Sequence, residues 1–169
     1  MTIDSFKFLP RLIAAFYQLT DRQPELPIPW TPLSCPLAEC KFGLVTSGGL
    51  YHRGAEPPFD LEREKREPTW GDPTFRRLPT DIRQEQVGAS HLHLNLRDVL
   101  EDFNILLPIR RFQELAAAGR IGGLASHAYS FMGYQGFPPD TTAWQKRYGP
   151  QLAEELKAEG VRGVLLVPA

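Results

Sequence analysis

Between Pro108 and Val167 the chain runs twice from a helix through a glycine to an apolar strand, and that order narrows the possible folds more than any other feature. Pro108 opens a segment with Ile109, Phe112, Leu115 and Ala116 on one helical face, and Gly119 stands where a left-handed C-terminal residue belongs. A strand is expected over Ile121–Ser126. The second helix is expected over Thr141–Glu159, kinked or restarted at Pro150 and closed by Gly160, with Val161–Val167 as the last strand. Helices alternating with strands signal βαβ units with right-handed crossovers. The predicted fold class is therefore α/β: an open, mainly parallel sheet with flanking helices, in a single domain over residues 1–169.

The first half is built differently, because 11 of the 16 prolines precede residue 80. Asp4–Thr20 spaces Phe8, Leu12, Ile13, Phe16 and Leu19 for one apolar helical face. Gln23–Pro36 is too rich in proline for a helix or a central strand and suits an extended wrap anchored by Trp30. Lys41–Ser47 is a short strand closed by Gly48-Gly49, a turn of the kind that can set backbone N–H groups around an anion. Residues 51–88 show no periodicity, but Phe59, Trp70 and Phe75 give them apolar anchors, so an ordered flap is expected. Beyond it, Ser90–Asn95 alternates as a strand does, and Ile105–Leu107 reads as a short buried strand.

Nineteen basic against 20 acidic side chains give no electrostatic footprint for nucleic acid. The longest apolar runs, such as Val164–Val167, are far short of the about 18 residues of a membrane span, and the N-terminus has no basic-then-apolar leader. The expectation is a soluble, cytoplasmic protein with reduced thiols.

Ligands of parallel sheets bind beyond the carboxyl ends of the strands, which points to Ser47, Gly48 and Gly49, to Ser126 and His127, and to Pro168 and Ala169. His91 and His93, two apart on a strand, would share a face and could hold a substrate carboxylate; hydrogen-bonded structural histidines are the plainer reading, and no third ligand signals a metal. Cys35 and Cys40 could form a redox pair, although they sit in an extended stretch rather than at a helix N-terminus, where a thiol becomes acidic. Phe131–Tyr134 lines either a pocket or ordinary core. The pairs Arg76-Arg77 and Arg110-Arg111 are expected to be solvated or to attract carboxylates.

Asp4–Arg11, Pro29–Leu33, Val45–Gly49, Gly71–Pro73, Ser90–His93, Asn104–Pro108 with Arg111, Gly119–Gly122, Ser130–Tyr134 and Gly160–Pro168, in that order along the chain, resemble the selenoprotein B subunit family of the glycine, sarcosine, betaine and D-proline reductases. The resemblance implies reductive C–N cleavage of an amino acid or betaine-like substrate by a selenolate or thiolate. It also implies a pyruvoyl group on a partner subunit, a thioredoxin-type electron donor, and no cofactor bound to this chain. In the family the strand matching Val164–Pro168 leads directly into the selenocysteine or cysteine motif, whereas this sequence stops at Ala169. The expectation is that residues 1–169 are the N-terminal part of a longer family domain, cut at a UGA codon, with the nucleophile just beyond Ala169. The substrate pocket is then expected at Ser47, Gly48, Gly49, His91, His93 and His127. A homo-oligomer stays open, and so does a non-catalytic small-molecule-binding or regulatory module of the same fold.

Overall fold

The computed structural model describes residues 31–169 together with Arg11, Ala15 and Pro27. The chain divides after Pro32, and the unit Leu33–Ala169 carries every element below. The helix expected over Asp4–Thr20 and the Trp30 anchor of the wrap lie outside the described residues. In chain order the elements are β1 (Lys41–Thr46), β2 (Leu50–His52), α1 (Leu61–Arg66), β3 (Phe75–Pro79), β4 (Val87–Ala89), α2 (Leu96–Glu101), α3 (Ile109–Ala117), β5 (Gly123–Leu124), β6 (His127–Phe131), α4 (Gly149–Ala158) and β7 (Gly163–Val167).

β1 is the centre of a mainly parallel sheet. On one flank its first residues pair with β5 and its last with β6; on the other it pairs along its length with β7. β3 closes the β6 edge antiparallel, and β2 with β4 forms a separate antiparallel pair. Side chains alternate across the sheet, so two cores result. Leu44, Leu78 and Ala128 pack with Leu50, Phe103, Leu107 and Ile109 on one face. Val45, Phe75, Tyr129 and Phe131 pack with Leu152 and Leu156 of α4 on the other. Gly43 lets α4 come close, since a Cβ there would stand 2.7 Å from Leu156 Cδ2. The α/β class and the mainly parallel sheet are as expected.

The helix boundaries follow the glycines. α3 ends just before Gly119 at φ +65°, and α4 just before Gly160 at φ +74°. Pro150 occupies the first turn of α4, which follows a π-helical turn over Trp144–Tyr148.

Several expectations are corrected. Ser90–Asn95 is no strand: β4 ends at Ala89, and Asn95 caps α2 by accepting the Arg97 N–H at 3.2 Å. A short polar side chain that bonds its own backbone competes with a ladder, and here it wins. Ile105–Leu107 fails as a strand for the same reason. Asp102 accepts the Asn104 N–H at 3.0 Å and starts a 3-10 turn over Phe103–Ile105, and Asn104 Oδ1 accepts the Arg110 N–H at 2.8 Å. Ile121–Ser126 shrinks to the two-residue β5, interrupted by Gly123 at φ +139°, and the main strand is β6.

The flap over residues 51–88 is ordered and contains β2, α1, β3 and part of the second sheet. Arg76, expected in solvent, is buried in it: its guanidinium bonds Pro57 O at 2.7 Å, meets Asp72 at 3.3 Å and lies 4.1 Å over the Phe59 ring. Arg77 pairs with Glu155 of α4. The expected reduced thiols are instead a disulfide between Cys35 and Cys40; the 3-10 turn Leu37–Glu39 folds the chain back so that their Cα atoms stand 6.1 Å apart, within bridging range.

β7 departs most from a buried parallel strand. Val164 is 44% exposed and Leu166 69%, because nothing among the described residues pairs with its outer edge. Among the described residues no helix is long and apolar enough to cross a membrane.

Candidate functional site

The carboxyl ends of β1, β6 and β7 are tied together by one residue. Ser47 N–H donates to Val167 O at 3.1 Å, and Ser47 O accepts from Gly133 N–H at 2.9 Å. The Ser47 hydroxyl accepts the Ala169 N–H at 2.8 Å and donates to Ala169 O at 3.4 Å. The last residue of the chain is therefore held at the strand ends, beside the glycine turn.

That turn does not form an anion cradle. Gly48 N–H donates to Thr46 Oγ1 at 3.1 Å and Gly49 N–H to Phe131 O at 2.9 Å, so both donors are used. Gly49 is needed for close approach: its φ is +66°, and a Cβ would stand 2.2 Å from Ser90 O. Ser90 N–H in turn donates to Gly49 O at 2.8 Å, which docks the His91 loop onto the turn.

His91 follows directly. It is 6% exposed, and its Nδ1 accepts the His93 N–H at 3.2 Å, which leaves the ring hydrogen on Nε2. Nε2 has no partner among the described residues, and a buried polar group left so costs about 1–3 kcal/mol. The point where a Gly133 side chain would begin lies 3.4 Å from His91 Nε2, 3.2 Å from Ser47 O and 3.1 Å from Ala169 O. His91, Ser47, Gly133 and Ala169 thus converge. Burial, aided by the neighbouring His93, holds the His91 pKa below its usual value and keeps the ring neutral.

His93 is half exposed, with its ring 6.0 Å from that of His91 and 5.0 Å from that of Tyr134. Its Nε2 stands 3.7 Å from Glu64 Oε1 of α1, a carboxylate whose side chain is 2% exposed. Burial pushes the Glu64 pKa up; His93 pulls it down and Asp72 adds to the rise. The flap brings Glu64 here. The Tyr134 hydroxyl donates to Pro68 O, Phe137 N–H donates to the same oxygen at 3.0 Å, and Gly136 at φ +79° leaves room for Thr69 O.

Ser47, Gly48, Gly49, His91 and His93 are therefore brought together, but His127 is not. It begins β6 instead of following a strand, pairs with Pro79, and bonds Ser126 Oγ through Nδ1 at 2.9 Å. Three residues separate it from Ser130, the partner of Thr46, so it lies about 10 Å down the sheet from the site. The Cys35–Cys40 disulfide stands just before the other end of β1, so neither cysteine joins the strand-end cluster. No group of three or more His, Cys, Asp or Glu among the described residues could hold a metal ion.

Two contributors carry no sequence signal of their own. Glu64 is one of six consecutive charged residues, Glu62 to Glu67, and only the packing of α1 selects it for burial. Gly133 matters through the side chain it lacks. Beside Ser47 and Pro168 an apolar cavity of about 610 Å³ opens between β7 and α4, lined by Val45, Phe131, Trp144, Leu152 and Leu166.

Comparison with known proteins places this geometry in a family. The model of glycine/sarcosine/betaine reductase selenoprotein B matches residues 26–169. The chain is 35% identical over 137 residues to the D-proline reductase subunit gamma of Acetoanaerobium sticklandii, covering 81% of this chain and 52% of that protein. It is 25% identical over 140 residues to the glycine reductase complex component B subunit gamma of Carboxydothermus hydrogenoformans, covering 82% and 30%. The chain thus aligns with about half or less of each of these relatives. No solved structure matches. With residues 26–169 matched by that one model, the chain belongs to the glycine/sarcosine/betaine reductase selenoprotein B family.

Proposed function

We propose that this chain forms part of a reductase subunit that cleaves a C–N bond of an amino acid or betaine-like substrate, and that the residue following Ala169 is its selenolate or thiolate nucleophile. The observation that supports this reading is the double hydrogen bond from Ser47 to Ala169, which aims the chain's last residue at the convergence of Gly133 and His91.

The chemistry balances with a dithiol as co-reactant. The selenolate or thiolate attacks the carbon bearing nitrogen; the amine leaves with the bonding pair and takes a proton, and a seleno- or thioether remains. A donor thiolate then attacks the selenium or sulfur, the carbon departs with its electron pair and takes a proton to become C–H, and the second donor thiol resolves the mixed disulfide or selenenylsulfide. Two electrons pass from dithiol to carbon. The donor is of the thioredoxin type, in the cytoplasm. A pyruvoyl group on a partner subunit would supply activation of the amine, and no step above runs through it. In this chain Ser47 fixes the strand end, and the apolar cavity beside Pro168 borders it.

The test is expression of the open reading frame with any UGA read through, followed by an assay of dithiol oxidation coupled to loss of the substrate C–N bond. Turnover abolished by replacing the residue after Ala169 is the expected result. Binding of amine or amino acid without turnover in the complete complex would overturn the reading in favour of a binding module.

A further inference from the structure

Among the described residues two buried side-chain donors have no acceptor, Trp144 Nε1 and His91 Nε2, and His91 Nε2 is the one that converges with Ser47, Gly133 and Ala169. The N–H groups of Ser47, Gly48, Gly49, Gly133 and Ala169 all have acceptors, whereas His91 Nε2 does not. It is 94% withdrawn from solvent, taking its 6% exposure from the whole, so bulk water does not satisfy it. The loop that carries it is fixed at both sides, through Ser90 on Gly49 and through the His93 N–H on Nδ1. A buried donor held so rigidly, with its tautomer set, is arranged for an acceptor that the described residues do not supply.

The acceptor's position is constrained. The Cβ position of Gly133 lies 3.4 Å from Nε2 and 3.1 Å from Ala169 O, so both atoms flank Gly133 and the residue after Ala169 begins beside His91. Resting on the reading above, we infer that His91 Nε2–H is the hydrogen-bond donor to the anionic sulfur or selenium of the residue that follows Ala169. A donor to the anion favours the ionised form and so lowers the pKa of the attacking group. The ionisable groups facing this donor are His93 on its own loop, and Glu64 and Asp72 from the flap, whose charges reach it through His93 and Glu64. His91 stays neutral as the pH falls toward its usual titration range, so it remains a donor with a lone hydrogen rather than a fixed cation.

The test adds Cys-Gly-Gly after Ala169 in the otherwise unchanged chain, whose own two cysteines are bonded to each other. The rate of alkylation by iodoacetamide against pH reads the pKa of the added thiol, with the same tripeptide in unfolded protein as the reference near 8.5. The expected result is a depressed thiol pKa in the folded chain. His91→Phe should raise it, lowering the thiolate fraction at pH 7 about fivefold to tenfold, and His91→Gln, which keeps an N–H donor, should recover part of that loss. Equal pH profiles in the unchanged chain and in His91→Phe, with both shown folded by circular dichroism, would overturn the inference. Should His91→Phe leave the thiol unmoved while the complete reading frame turns over substrate, the donor role fails and the proposed function stands. A thiol that shifts as expected, in a gene with no redox residue after Ala169, has the opposite meaning.

Discussion

The two flanks of β1 obey different rules. Toward β6 the sheet is finished: Leu44, Leu78, Ala128 and Tyr129 are buried on its two faces, and antiparallel β3 ends it with Arg76 locked over Phe59. Toward β7 an equally apolar strand lies open, with Val164, Leu165 and Leu166 exposed along an edge that no described residue pairs with and an apolar cavity beside it. Parallel strands are ordinarily covered on both faces, and open apolar edges invite pairing. The contrast is that of a buried core on one side and an exposed apolar strand on the other, in a chain that aligns with 52% or 30% of its relatives' lengths.

Truncations test that contrast most strongly. Leu44→Ala on the finished side is expected to cost about 2–5 kcal/mol in urea unfolding, as for other buried leucines, whereas Leu166→Ala should stay within about 0.5 kcal/mol. Equal losses at the two positions would mean that β7 is covered in solution. Charge comes next. Leu166→Lys should leave the unfolding midpoint in place, and where the unchanged chain self-associates through this edge in sedimentation it should weaken that association, since a lysine on an open edge blocks strand pairing. Unchanged sedimentation would remove the edge from consideration.

Where the flanks meet, stability depends on pH. Glu64 has a raised pKa, so its folded form favours the proton; stability is greatest below the ordinary value of 4.5 and falls as pH rises through the raised value. His91 has a lowered pKa, so its folded form resists the proton, and stability is lost as pH drops below the ordinary 6.5. Glu64→Gln should flatten the first slope and His91→Gln the second, in unfolding curves recorded from pH 4 to 8. The most local effect concerns Ser47→Ala, which removes the hydroxyl bonds to Ala169 at about 1 kcal/mol. Amide exchange should speed up about fivefold at Val167 and Ala169 and stay unchanged at Tyr129.

The legible parts of this molecule were those where one local rule acts alone. Gly119 and Gly160 stop helices by adopting positive φ, and an apolar helix face over Ile109 and Phe112 has only one way to be buried. The placing of Ser47 and Gly49 at the end of β1 is legible because the apolar run and its glycine turn leave little choice, whereas His91 reaches them on a loop and not on the expected strand. Harder were the segments where two rules compete. Ser90–Asn95 alternates like a strand, but Asn95 is also a cap, and the cap prevails. His127 was misplaced by a one-element shift: with β6 starting at that residue, what looked like a strand's end is its beginning. Glu64 and Arg76 depend on how other segments dock, and no local pattern distinguishes a buried charge from its solvated neighbours in the same run.

Ser47 touches β7 twice, once through its own backbone at Val167 and once through its hydroxyl at Ala169. Whatever comes to lie against the outer edge of that strand will therefore press on the same joint that points the chain's end toward His91.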